Sequence, residues 1–215
     1  FDSNDFPEFT KRMRLEHNLR GFDWQDMLDD NEGIKEADLQ WAKFPSDKEY
    51  LESNIKGIAI GNFFKWDSNH NYNLMEKLYG WQKSKTPFQR TYRRFSNLDD
   101  RYENGAHDLL KFIKFGYGRS TDHGSKDIRM GYITRNQGIE YVKKYDHVIS
   151  DDLYHWLDYV DLTEDEFWKT AESFRDPDVW WIENNEWYKD NIWNKPSSYG
   201  KVWKNSVDNS KYKKK

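Results

Sequence analysis

The chain has 215 residues, enough for one full domain or two small ones with an apolar core. Rings supply 18% of it while all hydrophobic residues together reach 36%, so the core has to be built with unusually many aromatic side chains. A net charge of -4 gives no basis for a nucleic-acid partner. The absence of cysteine removes disulfides, thiol nucleophiles and cysteine-ligated metals, and no apolar run reaches the roughly twenty residues that cross a bilayer. A cytoplasmic protein without membrane contact is expected.

The chain opens on Phe1 rather than methionine, as a fragment, a processed product or the ordered part of a longer chain would. Residues 1–33 are polar and broken by Pro7, with Trp24, Met27 and Leu28 at the spacing of one helical turn. Ser46 and Glu49 stand at capping-box spacing and start a helix that turns Tyr50, Leu51 and Ile55 inward. The run from Gly57 to Phe63, GIAIGNF, is apolar on both faces and predicts an interior parallel strand. Gly61 and Asn62 then lie at its carboxyl end, where open α/β sheets place their ligands. Lys65, Trp66 and Asp67 follow. Each has a structural role open to it, as solvated cation, lid on the core and helix cap, and each is near enough to the strand tip to touch a substrate. A helix over residues 69–79 ends at Gly80.

Residues 81–106 read as a connector between two lobes, and its Arg90, Arg93 and Arg94 read first as surface charge, with contact of one of them to an acidic substrate as the alternative. Leu109, Leu110, Phe112 and Ile113 mark a helix stopped by Gly116 and Gly118. Ser120 or Thr121 can cap the next helix, with Asp122 in its first turn and Arg119 just outside it. His123 and Asp127 are four apart and share a face, either as an intrahelical pair or as part of a site that Arg119 and Arg129 approach. The D-H-x-x-x-D pattern lacks metal-ligand spacing, so no metal is expected there. Gly131 ends this helix. Thr134 with Gln137 caps the next, whose inward stripe is Ile139, Val142 and Tyr145. Leu153, Trp156, Leu157 and Val160 mark another helix. Thr163 and Glu166 cap the last, with Phe167, Trp168, Ala171 and Phe174 as its apolar face and Pro177 as its stop. From Trp180 on, Trp181, Trp187, Trp193 and Trp203 recur without period. Such a tail is either a strap on its own helices or a symmetry partner, or a set of flat faces for sugars.

Three stretches, GIAIGNFFKWD, FGYGRSTDHGSKDIRMGYITRNQGIEYVKKYD and LTEDEFWKTAESFRDPDVW, together resemble the carboxyl-terminal half of the N-acetyl sugar amidotransferases of surface-polysaccharide and nonulosonic-acid synthesis. The resemblance implies a predominantly helical α/β chain. Residues 1–95 would be the last part of a parallel-sheet ATP pyrophosphatase domain of the PP-loop type, 96–178 a helical lobe and 179–215 an aromatic strap. It implies conversion of a sugar acetamido group to an acetamidino group with ammonia, using ATP and Mg2+. Arg119, His123 and Asp127 would be catalytic, Lys65, Trp66, Asp67, Asp122 and Arg129 would contact the sugar, and Gly61 and Asn62 the nucleotide. The family's S-G-G-x-D-S phosphate loop and cysteine-rich opening are missing. An amino-terminal ATP-binding half is therefore an expected partner, with glutaminase or ammonia-supplying subunits, the acetamido sugar and a second copy of the chain as further ones. The alternative is a non-catalytic carbohydrate-binding or protein-interaction module that uses exposed tryptophans.

Overall fold

The computed structural model describes residues 23–29, 32–96 and 103–214. The break predicted at Pro7 lies outside them. The chain divides into two units between Ser68 and Asn69.

In the first unit the helix α1, Asp47–Glu52, carries the expected box. The Ser46 side chain accepts from the Glu49 N–H, and the Glu49 carboxylate accepts in return from the Ser46 N–H at 2.9 Å. Short 3-10 turns cover Trp24–Met27, Gln40–Ala42 and Ile60–Asn62. Among the described residues of this unit, only Leu39 is a buried apolar side chain. The expected parallel strand is not there. Residues 57–63 include the 3-10 turn instead, and Ile58, Ile60, Phe63 and Phe64 are exposed. An apolar run of seven carries no periodicity that separates a buried strand from an irregular segment, which is why the expectation fails.

The boundary falls at the first residue of α2 (Ser68–Tyr79), and the second unit holds the rest of that helix with α3 (Glu103–Phe115), α4 (Arg119–Arg129), α5 (Arg135–Tyr145), α6 (Asp152–Val160) and α7 (Glu164–Ser173). Ala106, Leu109 and Ile113 recur along one face of α3 and pack with Leu153 and Leu157 of α6 and with Phe167, Trp168 and Ala171 of α7. Phe112 points the other way, into a second cluster with Trp180, Trp187 and Tyr212. That cluster lies against a three-stranded antiparallel sheet of β1 (Trp180–Glu183), β2 (Glu186–Lys189) and β3 (Ser197–Lys201), in the order β1-β2-β3. Asn184 and Asn185, at φ 52° and 62°, make the two-residue turn of the first hairpin, and Ile182 sits opposite Trp187.

The sheet is antiparallel and follows the helices, so the chain is not the last part of a parallel PP-loop sheet. The ATP-dependent amidotransferase activity, and the ATPase and ligase character that the resemblance implied, do not hold, because the described residues supply neither the parallel sheet nor a metal or cysteine site to carry them. Gly61 and Asn62 lie in a 3-10 turn rather than at a strand tip. Among the described residues no group of three or more His, Cys, Asp or Glu is placed to hold a metal ion, and no helix is long and apolar enough to cross a membrane.

The tail is a strap on the chain's own helical lobe. Glu172 of α7 is 2% exposed, and its carboxylate accepts from Trp187 Nε1 at 2.7 Å, from the Trp203 N–H at 2.9 Å and from Ser206 Oγ at 2.5 Å. Arg175 packs against both Trp180 and Trp187, its guanidinium carbon 4.2 and 4.6 Å from the ring centroids. The segment after β3 closes the outer edge of β1, where the Ile182 N–H donates to the Tyr212 carbonyl at 3.0 Å. Replacing Glu172 with Ala leaves the buried Trp187 N–H and two part-buried donors without their acceptor and removes the carboxylate beside the buried Arg175, so it is expected to lower stability by about 3–5 kcal/mol in denaturant unfolding. A loss below about 1 kcal/mol would mean that the strap is held by ring packing alone.

Candidate functional site

The turn between α3 and α4 begins at Gly116, whose φ of 74° favours glycine. The N-cap of α4 is Gly118 rather than Ser120 or Thr121, and the capping side chain comes from elsewhere in the sequence. Asp146, just after α5, accepts from the Gly118 N–H at 2.9 Å, the Thr121 N–H at 3.0 Å and Thr121 Oγ1 at 2.5 Å. A buried carboxylate at the positive end of α4 is well placed electrostatically, and it fixes the α4–α5 hairpin from its open end.

The ionisable residues singled out in α4 are each engaged with a different partner. Arg119 Nε lies 3.0 and 3.1 Å from the two carboxylate oxygens of Asp108, and its Nη2 is 2.7 Å from Oδ1. Asp122 pairs with Lys111. His123 Nδ1 meets Thr91 Oγ1 at 2.7 Å rather than Asp127. Asp127 accepts from Asn69 Nδ2 at 3.1 Å and Arg93 Nε at 3.3 Å, and also holds the Tyr92 hydroxyl and Arg93 Nη2. Arg129 donates to Ser125 Oγ at 2.6 Å. Lys65, Trp66, Asp67, Gly61 and Asn62 belong to the first unit, where Trp66 is 72% exposed and Lys65 is also exposed.

Residues 90–93 and two aspartates complete this network; nothing in the sequence singles out Asp108 or Asp146, and Arg90 and Arg93 read there first as surface charge. Arg90 and Arg93 are buried, not surface charge. Arg90 donates to the Asp108 carbonyl at 3.1 Å and to the carbonyls of Asp146 and Val148. Burial lowers its pKa to about 10, against the attraction of Asp108 and Asp146. Tyr92 is raised by burial and by its bond to Asp127, and its ring stacks on Tyr141 at 4.1 Å. Arg90, Thr91, Asp108, Arg119 and His123 line a crevice whose free space of about 10 Å³ holds about one water-sized sphere. With its charges paired and little room, this group has the character of a framework.

Space for a ligand lies on the other side of α4. Thr121, Ser125, Ile128 and Arg129 of α4 face Arg135, Ile139 and Val142 of α5 across a cleft of about 290 Å³. Positions three or four apart on each helix put these side chains on one face. The helices cross closely at Gly124 and Gly138, where a Cβ built on the first would lie 3.8 Å from the Cα of the second. Thr134 and Gln137 form the expected capping box, and Gly131, at φ 78°, stands in the turn between the helices. Arg129 and Arg135 flank that turn, so positive charge gathers at one end of the cleft. The lining also includes Ile192, from the loop between β2 and β3.

His123 reports on the framework. Burial first, then the positive charges of Arg93, Arg119, Lys126 and Lys111, hold its pKa far below the usual 6.5. Between the folded and unfolded values the unfolded chain binds a proton that the folded chain does not, so stability falls as pH drops below about 6.5. His147, also lowered by burial, adds to that slope. His123→Gln is expected to reduce the slope of unfolding free energy between pH 6.5 and 5 by up to about 1.4 kcal/mol per pH unit. An unchanged slope would show that the folded protein accepts the proton.

No curated protein matches the chain. The family described as LPS biosynthesis protein WbpG-like, C-terminal domain, matches residues 89–196, half of its length, from the buried Arg90 network through the five helices α3–α7 to the loop after β2. The chain belongs to this WbpG-like family through its C-terminal domain.

Proposed function

We propose that the second unit is a carbohydrate-binding module of surface-polysaccharide synthesis and that its ligand lies in the cleft between α4 and α5. The cleft carries this reading. Its volume of about 290 Å³ suits a ligand of one sugar unit, near the lower end of the range for small-molecule sites. Arg129 and Arg135 supply donors for an acidic group, Ser125 offers a hydroxyl, and Ile139 and Val142 give an apolar surface for the C–H face of a sugar ring. The family description, a protein of LPS biosynthesis, supports a sugar as the ligand class.

The tryptophans do not make this site. Trp180, Trp181 and Trp187 are buried. Among the residues expected to contact a sugar, Arg129 lies in the cleft, while Asp122 is tied to Lys111.

Calorimetric titration with glucuronic acid tests the proposal. Saturable binding is expected, weakened at least about tenfold in a double variant Arg129→Ala, Arg135→Ala. Both side chains are exposed, so the variant's unfolding free energy should stay within about 0.5 kcal/mol of the wild type. Absence of binding, or equal affinity in the double variant, would contradict it.

A further inference from the structure

The cleft is not closed by its two helices alone. The loop of residues 190–196, between β2 and β3, contributes Ile192 to the lining although it lies fifty positions beyond Val142 in sequence. The residues on either side of Ile192 hold it there. On one side, Asn191 uses both ends of its amide. Its Nδ2 donates to the Lys195 carbonyl at 2.9 Å and to Ser197 Oγ at 3.1 Å, while its Oδ1 accepts from Lys189 Nζ at 2.8 Å and from the Tyr199 hydroxyl. On the other side, Trp193 lies under Lys143 of α5, with the ammonium 5.5 Å from the ring centroid. A further turn closes the loop, as the Asn194 N–H donates to the Asn191 carbonyl at 2.9 Å. Ile192 is 44% exposed, an apolar side chain that lines the cleft and still meets solvent.

Resting on the binding role proposed above, we infer that Ile192 is the specificity-determining wall of the α4–α5 cleft and that Asn191 is the residue that positions it. The arginines stand by the α4–α5 turn, whereas Ile192 joins Ile139 and Val142 in an apolar lining. The cleft therefore selects a small acid whose charged group and apolar face are both presented to the protein, and it sets an upper limit on the bulk of that face. A bare anion meets the arginines without touching Ile192. Size selection by one apolar side chain is typically a matter of tenfold to a few hundredfold.

The test compares glucuronic acid with inorganic phosphate on the full chain. Ile192→Ala is expected to weaken glucuronic acid about tenfold by removing part of the apolar contact. Ile192→Trp takes up the space beside Ile139 and Val142 and is expected to abolish glucuronic acid binding, while inorganic phosphate, held at the arginines, binds both variants as it binds the wild type. Asn191→Ala should weaken the sugar acid as Ile192→Ala does and leave phosphate unchanged, with the thermal midpoint of each variant checked against the wild type. Wild-type affinity for glucuronic acid in both Ile192 variants overturns the inference while the binding role stands. Parallel loss of sugar acid and phosphate in a folded Ile192→Trp also overturns it, because the side chain would then be blocking the whole cleft. Failure of the wild type to bind either ligand removes the binding role and the inference with it.

Discussion

The buried carboxylate of Glu172 is the constraint on which the second unit depends. It is placed by α7, one turn beyond Trp168, and it gathers three donors from a tail that has few hydrogen bonds of its own to the helices. A buried carboxylate is costly unless its oxygens are satisfied, and here the satisfaction comes from the strap. Trp187 and Trp203 thereby reach fixed positions. Trp187 completes the cluster around Phe112, and Trp203 stacks on Trp168 at 6.0 Å. The same docking fixes β2 and β3, and so the loop that carries Ile192. An interaction at the base of the sheet is in this way connected to the wall of the cleft.

A second carboxylate does similar work for the hairpin. Asp146 caps α4 from beyond the end of α5, while Arg90 gathers the carbonyls around it. Asp127 and Asp108 each hold an arginine from a different part of the chain. Such buried pairs add little net stability over apolar packing, but they tolerate only one arrangement of their partners. One face of α4 has its charged side chains paired with these partners. Its other face, with α5, is left to line a cleft.

The local elements were legible in the sequence because their signals are local. Ser46 with Glu49, Thr134 with Gln137 and Thr163 with Glu166 all form the boxes that their spacing announces, and Gly116 and Gly131 both adopt the positive φ that ends or links helices. What depends on distant partners was not legible. Arg90 and Arg93 look like surface charge until Asp127 and the carbonyls near Asp146 are brought beside them. The hairpin in W-W-I-E-N-N-E-W was hidden because both faces carry aromatic residues, which masks alternation, and because its turn is Asn-Asn rather than Asn-Gly. Of the cleft, the helix faces follow from periodicity, and Ile192 does not.

The central claim is a division of labour, with the Arg119–His123–Asp127 side of α4 serving as framework and the α4–α5 face as the ligand site. Amide hydrogen exchange in the presence and absence of glucuronic acid tests it directly. Slower exchange on ligand addition is predicted for residues 121–142 and 190–196, with residues 88–91 and 104–108 around the crevice unchanged. Protection at residues 88–91 and 104–108, with the cleft and its loop unaffected, would contradict the account and place the ligand on the side assigned to the framework.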